Sequence, residues 1–386
     1  MNMDRPTINA SCHEEALREY NESIFFNKLC LVASGLWPIE PDASAKQIRW
    51  RRIHQSLMYL SAVVLIIPEW IDMCYLFGKI SPFFETLISN AFTLTIAIKY
   101  ASFNFRKDVF EDVLEIMQSK WIEIMLRPNS EKNKRILRES SVRARRFGFC
   151  YISAICVAGT FFSIMPLINS QKPEHRDRQY PYFGRYIIDR DSDLIYVICY
   201  MSQMIAMAPI VVMTYAMDGI FIMTTYQFCA QLRILQNDLM ELGKNGSNTR
   251  QDVIHLIKRH QEAIRYSQAL QKVFSISGQQ QLIACGLGIC INGFNLIITL
   301  TAGNLSCLIF IACIPVYFFQ ILSVCQPGNE IIVHSQAIAV AIQQSSWNEL
   351  DQVSVRHLSL MIRRSQKPLT IVVAKIYQLS LENFMR

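Results

Sequence analysis

The sequence has few charged residues and lacks the short motifs that mark enzyme active sites. Charged residues make up 18% of the 386 residues, whereas an ordinary soluble protein has about 25%. The chain contains no Gly-rich phosphate loop, no His-Glu-x-x-His and no Gly-x-Ser-x-Gly sequence. We therefore expect no enzymatic activity and no cofactor.

Paired cysteines with the spacing of metal ligands are also missing. The 12 cysteines are scattered singly along the chain, and the histidines lie at irregular intervals in or beside polar segments. We therefore predict no metal site. The net charge of +7 is explained by basic residues that face the anionic cytoplasmic surface of a lipid bilayer. No nucleic acid partner is needed to account for it.

Long apolar segments dominate the sequence instead. We predict an all-α, polytopic membrane helix bundle of seven spans, because each segment offers the roughly 20 residues that a bilayer-crossing helix needs. The seventh is expected to be truncated at residue 386. The predicted spans are His54–Phe77, Ile80–Phe103, Phe147–Ile168, Leu194–Met223, Val273–Ala302, Leu305–Cys325 and Pro368 onward.

These spans divide the chain into four predicted domains. They are a cytoplasmic N-terminal segment (1–53), a six-helix transmembrane bundle (54–325) with a cytoplasmic helical hairpin at about 229–267, a cytoplasmic anchor segment (326–367) and the start of a pore-type helix (368–386). The hairpin and the anchor segment carry apolar stripes at helical spacing. Such stripes need a partner, either within the chain or in a neighbouring subunit.

The distribution of Lys and Arg predicts the orientation of the chain in the membrane. The segment before the first span holds 7 basic residues and the second connection 11, whereas the first connection holds Lys79 alone and the fifth none. Basic segments stay on the cytoplasmic side. We therefore predict a multi-pass plasma-membrane protein with a cytoplasmic N-terminus, which is opposite to the orientation of a G-protein-coupled receptor.

Five charged residues fall within or beside the predicted spans, where charge is costly and usually functional. All five lie close enough to a span end that we expect them to reach water or lipid headgroups. No acid or base is expected at the bilayer midplane, which argues against a proton-coupled transporter. The five residues are Glu69, Asp72, Glu85, Lys99 and Asp218.

Two helical stripes predict a small-molecule pocket in the outer half of the bundle. One runs from Tyr196 to Met207 on the fourth span, and the other from Asn292 to Thr299 on the fifth. With aromatic residues at the same depth they would form a mostly apolar site for a lipophilic ligand. Ordinary helix packing is the alternative, since polar side chains join membrane helices anyway. The predicted ligand-binding residues are Phe83, Phe84, Phe161, Phe162, Met165, Tyr196, Tyr200, Gln203, Asn295 and Thr299.

The carboxyl-terminal sequence resembles the signature of insect odorant receptors. Met361-Ile-Arg-Arg-Ser-Gln-Lys-Pro-Leu-Thr is followed by Ala374-Lys-Ile-Tyr-Gln-Leu-Ser-Leu-Glu-Asn-Phe384. This places a basic pair, Ser-Gln-Lys-Pro and Ser-Leu-Glu-x-Phe in the family's order and spacing. Members of the family continue for several helical turns beyond the last motif, so we expect the seventh helix to be cut short here.

The resemblance implies an odorant receptor subunit that binds a small volatile organic ligand in the outer half of the bundle. Such subunits form a hetero-tetramer with a coreceptor and open a non-selective cation channel. The resemblance places Ser380, Leu381, Glu382 and Phe384 at the start of the pore helix. The alternatives left open are a gustatory-type ligand-gated channel, a G-protein-coupled chemoreceptor and a small-molecule transporter.

Overall fold

The computed structural model describes residues 10–39, 43–128, 130–169, 180–182, 184–186, 193–243, 250–301, 303 and 307–385. Within these residues the chain forms ten α-helices, a 3-10 turn at Trp347–Glu349 and one small β-hairpin. The helices are α1 (Ala10–Ala33), α2 (Ala45–Leu76), α3 (Ile80–Phe105), α4 (Lys107–Met125), α5 (Glu131–Asn169), α6 (Asp193–Met240), α7 (Arg250–Thr301), α8 (Cys307–Gln343), α9 (Gln352–Ser365) and α10 (Leu381–Met385).

Four stretches of the described helices are long and apolar enough to cross a membrane: Ala45–Leu76, Asp193–Met240, Arg250–Thr301 and Phe310–Gln343. The predicted class, a helical membrane bundle, is thereby confirmed, while the count of seven spans stays a prediction. With 48 and 52 residues, α6 and α7 are about 72 and 78 Å long. Because the hydrocarbon core of a bilayer measures only about 30 Å, both helices extend well beyond it.

The bundle has two ends, here called distal and proximal, that carry different elements of the chain. The distal end carries the turn at 77–79 and the segment 180–186, which meet where the Arg185 amide donates to the Pro68 carbonyl at 3.0 Å. The proximal end carries α1, α4 and α9 together with the extended parts of α6 and α7.

Helix α6 is the centre of the bundle. It packs against α1, α2, α5, α7 and α8, and every residue from Met213 to Ala230 is buried. A helix that is apolar on all sides is stable only when other helices surround it. Small residues allow close approach, since a Cβ atom on Gly219 would lie 3.0 Å from the Asn27 side chain and from the Tyr215 ring.

The proximal half of α6 ends in a group of charged side chains. Asp238 accepts a hydrogen bond from Arg127 Nη1 at 2.9 Å and one from Asn133 Nδ2 at 3.0 Å, and it also pairs with Arg259. The group joins α6 to α5, α7 and the end of α4. One quarter of the Arg127 side chain is exposed, so water reaches this group.

The carboxyl-terminal segment differs from the predicted helix start over 368–386. Strand β1 (Val372–Val373) pairs antiparallel with β2 (Tyr377–Gln378), and the helix begins only at Leu381. Pro368 lacks the N–H that a helix interior needs. The β-branched residues that follow favour extended backbone, and the turn holds Ala374 and Lys375 at positive φ.

The predicted domain boundaries remain predictions. Helix α2 runs unbroken across the boundary at 53/54, and α8 runs unbroken across the boundary at 325/326. Both predicted boundaries therefore lie within continuous helices. A boundary between lipid and water does not interrupt the backbone hydrogen bonds of a helix.

Candidate functional site

A cavity of about 100 Å³, here called the distal lobe, lies inside the distal half of the bundle. Five helices and the segment 180–182 each contribute to its wall. The wall is mostly apolar with a few polar groups, which is the usual composition of a site for a small lipophilic molecule. One residue from each contributing element is Phe92 (α3), Ile155 (α5), Met207 (α6), Asn292 (α7), Tyr317 (α8) and Tyr182 (segment 180–182).

A second cavity of about 100 Å³, the proximal lobe, lies deeper between α3, α7 and α8. Its wall includes Ile96, Lys99 and Gln281. The two lobes are adjacent, because four residues line both of them. These residues, here called the neck, are Phe92, Thr214, Tyr317 and Gln320.

The position of the Tyr317 ring at the neck depends on Gly288 of α7. A Cβ atom at this position would lie 2.7 Å from the Tyr317 ring, which is closer than two carbon atoms can approach without a shift. The glycine therefore lets the Tyr317 ring lie directly against α7. Gly286 and Gly293 of the same helix have no such neighbour within 4 Å.

The segment 180–182 covers part of the distal lobe at its outer end through Tyr182. The buried side-chain amide of Gln203 makes two hydrogen bonds to the backbone of this segment. The Tyr182 N–H donates to Gln203 Oε1, and Gln203 Nε2 donates to the Tyr182 carbonyl, both at 3.0 Å. The Tyr196 ring packs 5.3 Å from that of Tyr180. The Tyr200 hydroxyl donates to the Ser163 carbonyl. Thus Tyr196 and Gln203 contact the segment that covers the lobe, Tyr200 joins α6 to α5, and none of the three is among the wall residues.

The predicted aromatic residues lie around the distal end. Phe83 and Phe84 form an edge-to-face pair with ring centroids 6.0 Å apart. Phe161 is 46% exposed on the outside of the bundle. The side chains of Phe162 and Met165 lie outside the described residues. None of the three described side chains, Phe83, Phe84 and Phe161, is among the residues that form the wall of either lobe.

Asn295 and Thr299 lie above Asn292 on α7. The Thr299 hydroxyl donates to the Asn295 carbonyl at 2.8 Å. The Asn295 amide is fully buried, and neither its oxygen nor its nitrogen has a hydrogen-bond partner among the described residues. An unpaired buried amide costs about 1–3 kcal/mol, so this side chain can bind a polar group without giving up an existing bond.

The cavity therefore begins one to two helical turns deeper than the predicted residues. Both predicted stripes reach it only through their inner members, Met207 and Asn292. The outer positions are occupied by the tyrosines of segment 180–186, which pack across the bundle from a distant part of the chain. The ten ligand-binding residues stay predictions, and Phe92, Tyr317 and Gln320 were missed.

A buried polar group, here called the floor cluster, forms the base of the proximal lobe. Lys99 Nζ lies 3.0 Å from Asp218 Oδ1, and the Tyr151 hydroxyl donates to Oδ2 at 2.5 Å. Lys99 also donates to Gln281 Oε1, and Gln281 Nε2 donates to Gln320 Oε1 at 2.9 Å. Residues of α3, α5, α6, α7 and α8 are thereby joined.

The floor cluster corrects the expectation that Lys99 and Asp218 reach water or headgroups. They are 2% and 4% exposed and pair with each other across 119 residues of sequence. Charges that are removed from water must be paired and hydrogen-bonded. The signal was present in the sequence, because a lysine and an aspartate in two different spans can neutralise one another.

The other charged residues of the spans are also held by protein groups. Glu69 is buried and accepts hydrogen bonds from Ser89 and from Asn90 Nδ2, the latter at 3.2 Å. Asp72 accepts from Arg185 Nε at 3.4 Å. The side chain of Glu85 lies outside the described residues. For Glu69 as well, the expected contact with water is replaced by contacts inside the bundle.

The fold and the cavity together define a polytopic helical membrane protein with an internal site. The family model described as 7tm Odorant receptor matches residues 79–386 of the chain. The chain therefore belongs to the odorant receptor family, which is a family of membrane receptors and not of enzymes. This membership decides among the classes that the sequence left open.

Curated relatives and solved structures agree with this assignment. Odorant receptor 10 of Aedes albopictus is 26% identical over 347 residues, which cover 86% of this chain and 88% of the relative. Odorant receptor 30a of Drosophila melanogaster is 24% identical, with 86% of each chain covered. The insect olfactory receptor OR5 from Machilis hrabei has the same fold, with a TM-score of 0.79, 16% identity, and coverage of 95% of this chain and 94% of that one.

Proposed function

We propose that the chain is an odorant receptor subunit that binds a small volatile organic molecule in the distal lobe. The observation that carries the proposal is a mostly apolar cavity between five helices, with its wall residues contributed by α3, α5, α6, α7 and α8. An internal cavity that stays apolar binds small apolar molecules, as a cavity of about 150 Å³ binds benzene.

The ligand site of a related protein supports the proposal. The structure of the Machilis hrabei receptor OR5 in complex with eugenol superimposes on this chain with a TM-score of 0.80 at 15% identity. A receptor of this fold therefore accommodates a small organic molecule. We propose the same class of ligand for this chain, in the cavity that its own residues form.

In the proposed orientation the N-terminus is cytoplasmic and the distal end faces the outside of the plasma membrane. The charge distribution along the sequence supports this, because basic residues concentrate at the proximal end. A volatile molecule would then reach the distal lobe from the outer half of the bilayer. Protease protection of a tag on residue 1 in sealed cells tests the orientation: cleavage from outside would contradict it.

We further propose that the subunit assembles with a coreceptor into a hetero-tetrameric, non-selective cation channel. Large apolar side chains are exposed at the proximal end, among them Val333 and Val340 on α8 and Leu360 on α9. Exposed apolar surface of this kind marks a protein interface. Residues Ser380, Leu381, Glu382 and Phe384 would begin the pore helix.

The direct test of ligand gating compares two identical substitutions at different glycines. Gly159 lines the distal lobe and Gly293 does not, and neither has a neighbour within 4 Å of an added Cβ. The chain, wild type or substituted, is expressed beside the coreceptor, and currents are recorded over a panel of volatiles. We expect Gly159→Leu to fill the lobe and to reduce sensitivity by at least about ten-fold, a loss of about 1.4 kcal/mol.

The matched control is Gly293→Leu, which adds the same side chain outside the cavity. We expect it to respond as the wild type does. Equal responses of both variants and the wild type would contradict a ligand site in the distal lobe. Comparable surface expression of the variants, measured by surface biotinylation, is required for the comparison.

A further inference from the structure

We propose that the floor cluster recognises a neutral oxygen acceptor, so that the preferred ligands are small carbonyl compounds that extend from the distal lobe through the neck. The inference rests on the proposed function and deepens it, because it names the chemical class of the ligand. The donor that carries it is the side-chain amide of Gln320.

The Gln320 amide is fixed on one side and open on the other. Its Oε1 accepts from Gln281 Nε2 at 2.9 Å and from Cys285 Sγ at 3.2 Å. Its Nε2 donates to no residue that the structure describes, although Gln320 is 4% exposed and lines both lobes. The network therefore leaves an amide donor at the neck, where a ligand would pass.

The donors of Lys99, which lines the proximal lobe, are used within the floor cluster. An ammonium group has three N–H donors, and Lys99 donates to both carboxylate oxygens of Asp218, at 3.0 and 3.4 Å, and to Gln281 Oε1. We therefore expect the oxygen atom of a ligand to bind Gln320 and not Lys99.

The charge balance of the floor cluster determines which kind of oxygen-containing ligand can bind. Asp218 already neutralises Lys99 at 3.0 Å, so a carboxylate ligand would bring an uncompensated negative charge into a buried site, which is strongly unfavourable. A ketone, ester or aldehyde offers an acceptor without that charge. A hydrocarbon offers no acceptor and would leave the Gln320 donor without a partner from the ligand.

The small volume of each lobe is expected to bring the oxygen atom of the ligand close to Gln320. Each lobe measures about 100 Å³, which is less than the roughly 150 Å³ cavity that holds benzene. We expect a ligand too large for one lobe to extend past Gln320 into the other. The carbonyl of the ligand would then lie beside Gln320 at the neck.

The experiment uses matched pairs of ligands on the purified full chain. Alkan-2-ones of five to ten carbons are compared with 2-methyl-1-alkenes of the same length, in which C=CH2 replaces C=O at nearly equal shape. Binding is read from ligand-dependent thermal stabilisation. For the lengths that bind, we expect each ketone to bind about ten-fold more tightly than its alkene, and hexanoate not to bind.

Two substitutions locate the effect. We expect Gln320→Met to reduce the ketone preference to about two-fold or less while leaving the affinity for the alkene unchanged. The control is Gln227→Met, which replaces another buried glutamine of the bundle that lines neither lobe. The control should keep the ten-fold preference.

A measurement on the wild type protects the test against a variant that fails to fold. The infrared band of a 13C-labelled ketone carbonyl should shift to lower wavenumber on binding, relative to the same ketone in hexane. An unshifted band, or equal affinity for ketone and alkene, would overturn this inference and leave the proposed function standing. If no volatile of either series or of the wider odorant panel binds, the proposed function itself is overturned.

Discussion

Two of the three aspartates of helix α6, twenty residues apart, pair with cations in two different settings. Asp218 lies in the distal half with side chain 5% exposed, and among the described residues its one cation is Lys99 at 3.0 Å. Asp238 lies at the proximal end with side chain 21% exposed, and it pairs with both Arg127 and Arg259. The buried aspartate therefore has fewer cations than the one that water reaches.

The surroundings of an ion pair, and not the number of its partners, determine how much it contributes to stability. Near the surface, water screens each charge, so such pairs contribute little to stability. In the interior the attraction is strong but so is the cost of leaving either charge alone. In the buried pair, Tyr151 donates a hydrogen bond to Asp218 and Gln281 accepts one from Lys99. At the proximal end, water makes such hydrogen bonds to the charged groups.

The largest expected effect comes from removing the buried cation. Lys99→Met leaves the Asp218 carboxylate buried without a counter-charge, and we expect a loss of about 3–5 kcal/mol in the free energy of unfolding. The receptor should be largely retained inside the cell. Fluorescence-detected size-exclusion chromatography after heating measures the change in detergent.

The control for this prediction removes both charges. In the double variant Lys99→Met with Asp218→Asn, the side chain at 218 keeps an oxygen for the Tyr151 hydroxyl and loses its charge. We expect most of the lost stability to return, because no unpaired ion remains. A double variant that is as unstable as Lys99→Met would show that packing, and not charge, explains the loss.

An intermediate effect is expected where the distal half is tightly packed. Gly288→Ala places a methyl group 2.7 Å from the Tyr317 ring, and overpacking of this kind costs about 1–3 kcal/mol. Displacement of the ring would narrow the neck and weaken ligand binding, read by thermal stabilisation. Gly286→Ala adds the same methyl group in open space and should behave as the wild type; equal effects would refute the packing of Tyr317 on α7.

A small effect is expected at the proximal aspartate. Arg127→Gln leaves Asp238 paired with Arg259 and hydrogen-bonded to Asn133. The loss in the free energy of unfolding should stay below about 1 kcal/mol. A loss as large as that of Lys99→Met, measured in the same heating assay, would remove the distinction between the two regions.

The smallest effect is expected at the exposed bridge between α4 and α7. Lys120 Nζ lies 2.7 Å from both Glu123 and Glu262. Burial alone would raise the pKa of Glu123, but the hydrogen bond and the charge of Lys120 outweigh it and lower this pKa below its ordinary value of 4.5. For Lys120, the bonds to both glutamates outweigh burial and raise its pKa above 10.5.

The sign of the pH dependence follows from these two directions. The lowered pKa of Glu123 contributes stability that is present above about pH 4.5 and is lost as the pH falls through the folded-state value. Lys120→Met should therefore cost about 0.3 kcal/mol at pH 7 and progressively less below pH 4.5. Melting curves at pH 7 and pH 4 measure this, and a difference that grows on acidification would contradict the assignment.

Much of the fold was predictable because membrane helices leave a local signal. Long apolar runs and the positions of Lys and Arg are properties of consecutive residues, and the predicted bundle follows from them. The predicted helix start over 368–386 rested on the resemblance to a pore helix, whereas the helix in the structure begins only at Leu381. Pro368 and the β-branched residues after it favoured extended backbone.

The candidate site was predictable only in part, because a cavity is a property of distant segments. The stripes through Met207 and Asn292 reach the wall, but periodicity gives the face of a helix and not the depth at which another segment covers it. Tyr182, held by Gln203, fixes that depth. The proximity of Lys99 to Asp218 likewise depends on how α3 and α6 pack.

The most direct test of the account is a structure of the receptor bound to a volatile that activates it. We predict ligand density between Phe92, Met207 and Tyr317, below the segment 180–182, with the polar end of the ligand toward Gln320. Density at another position in the protein, with both lobes empty, would contradict the assignment of the ligand site.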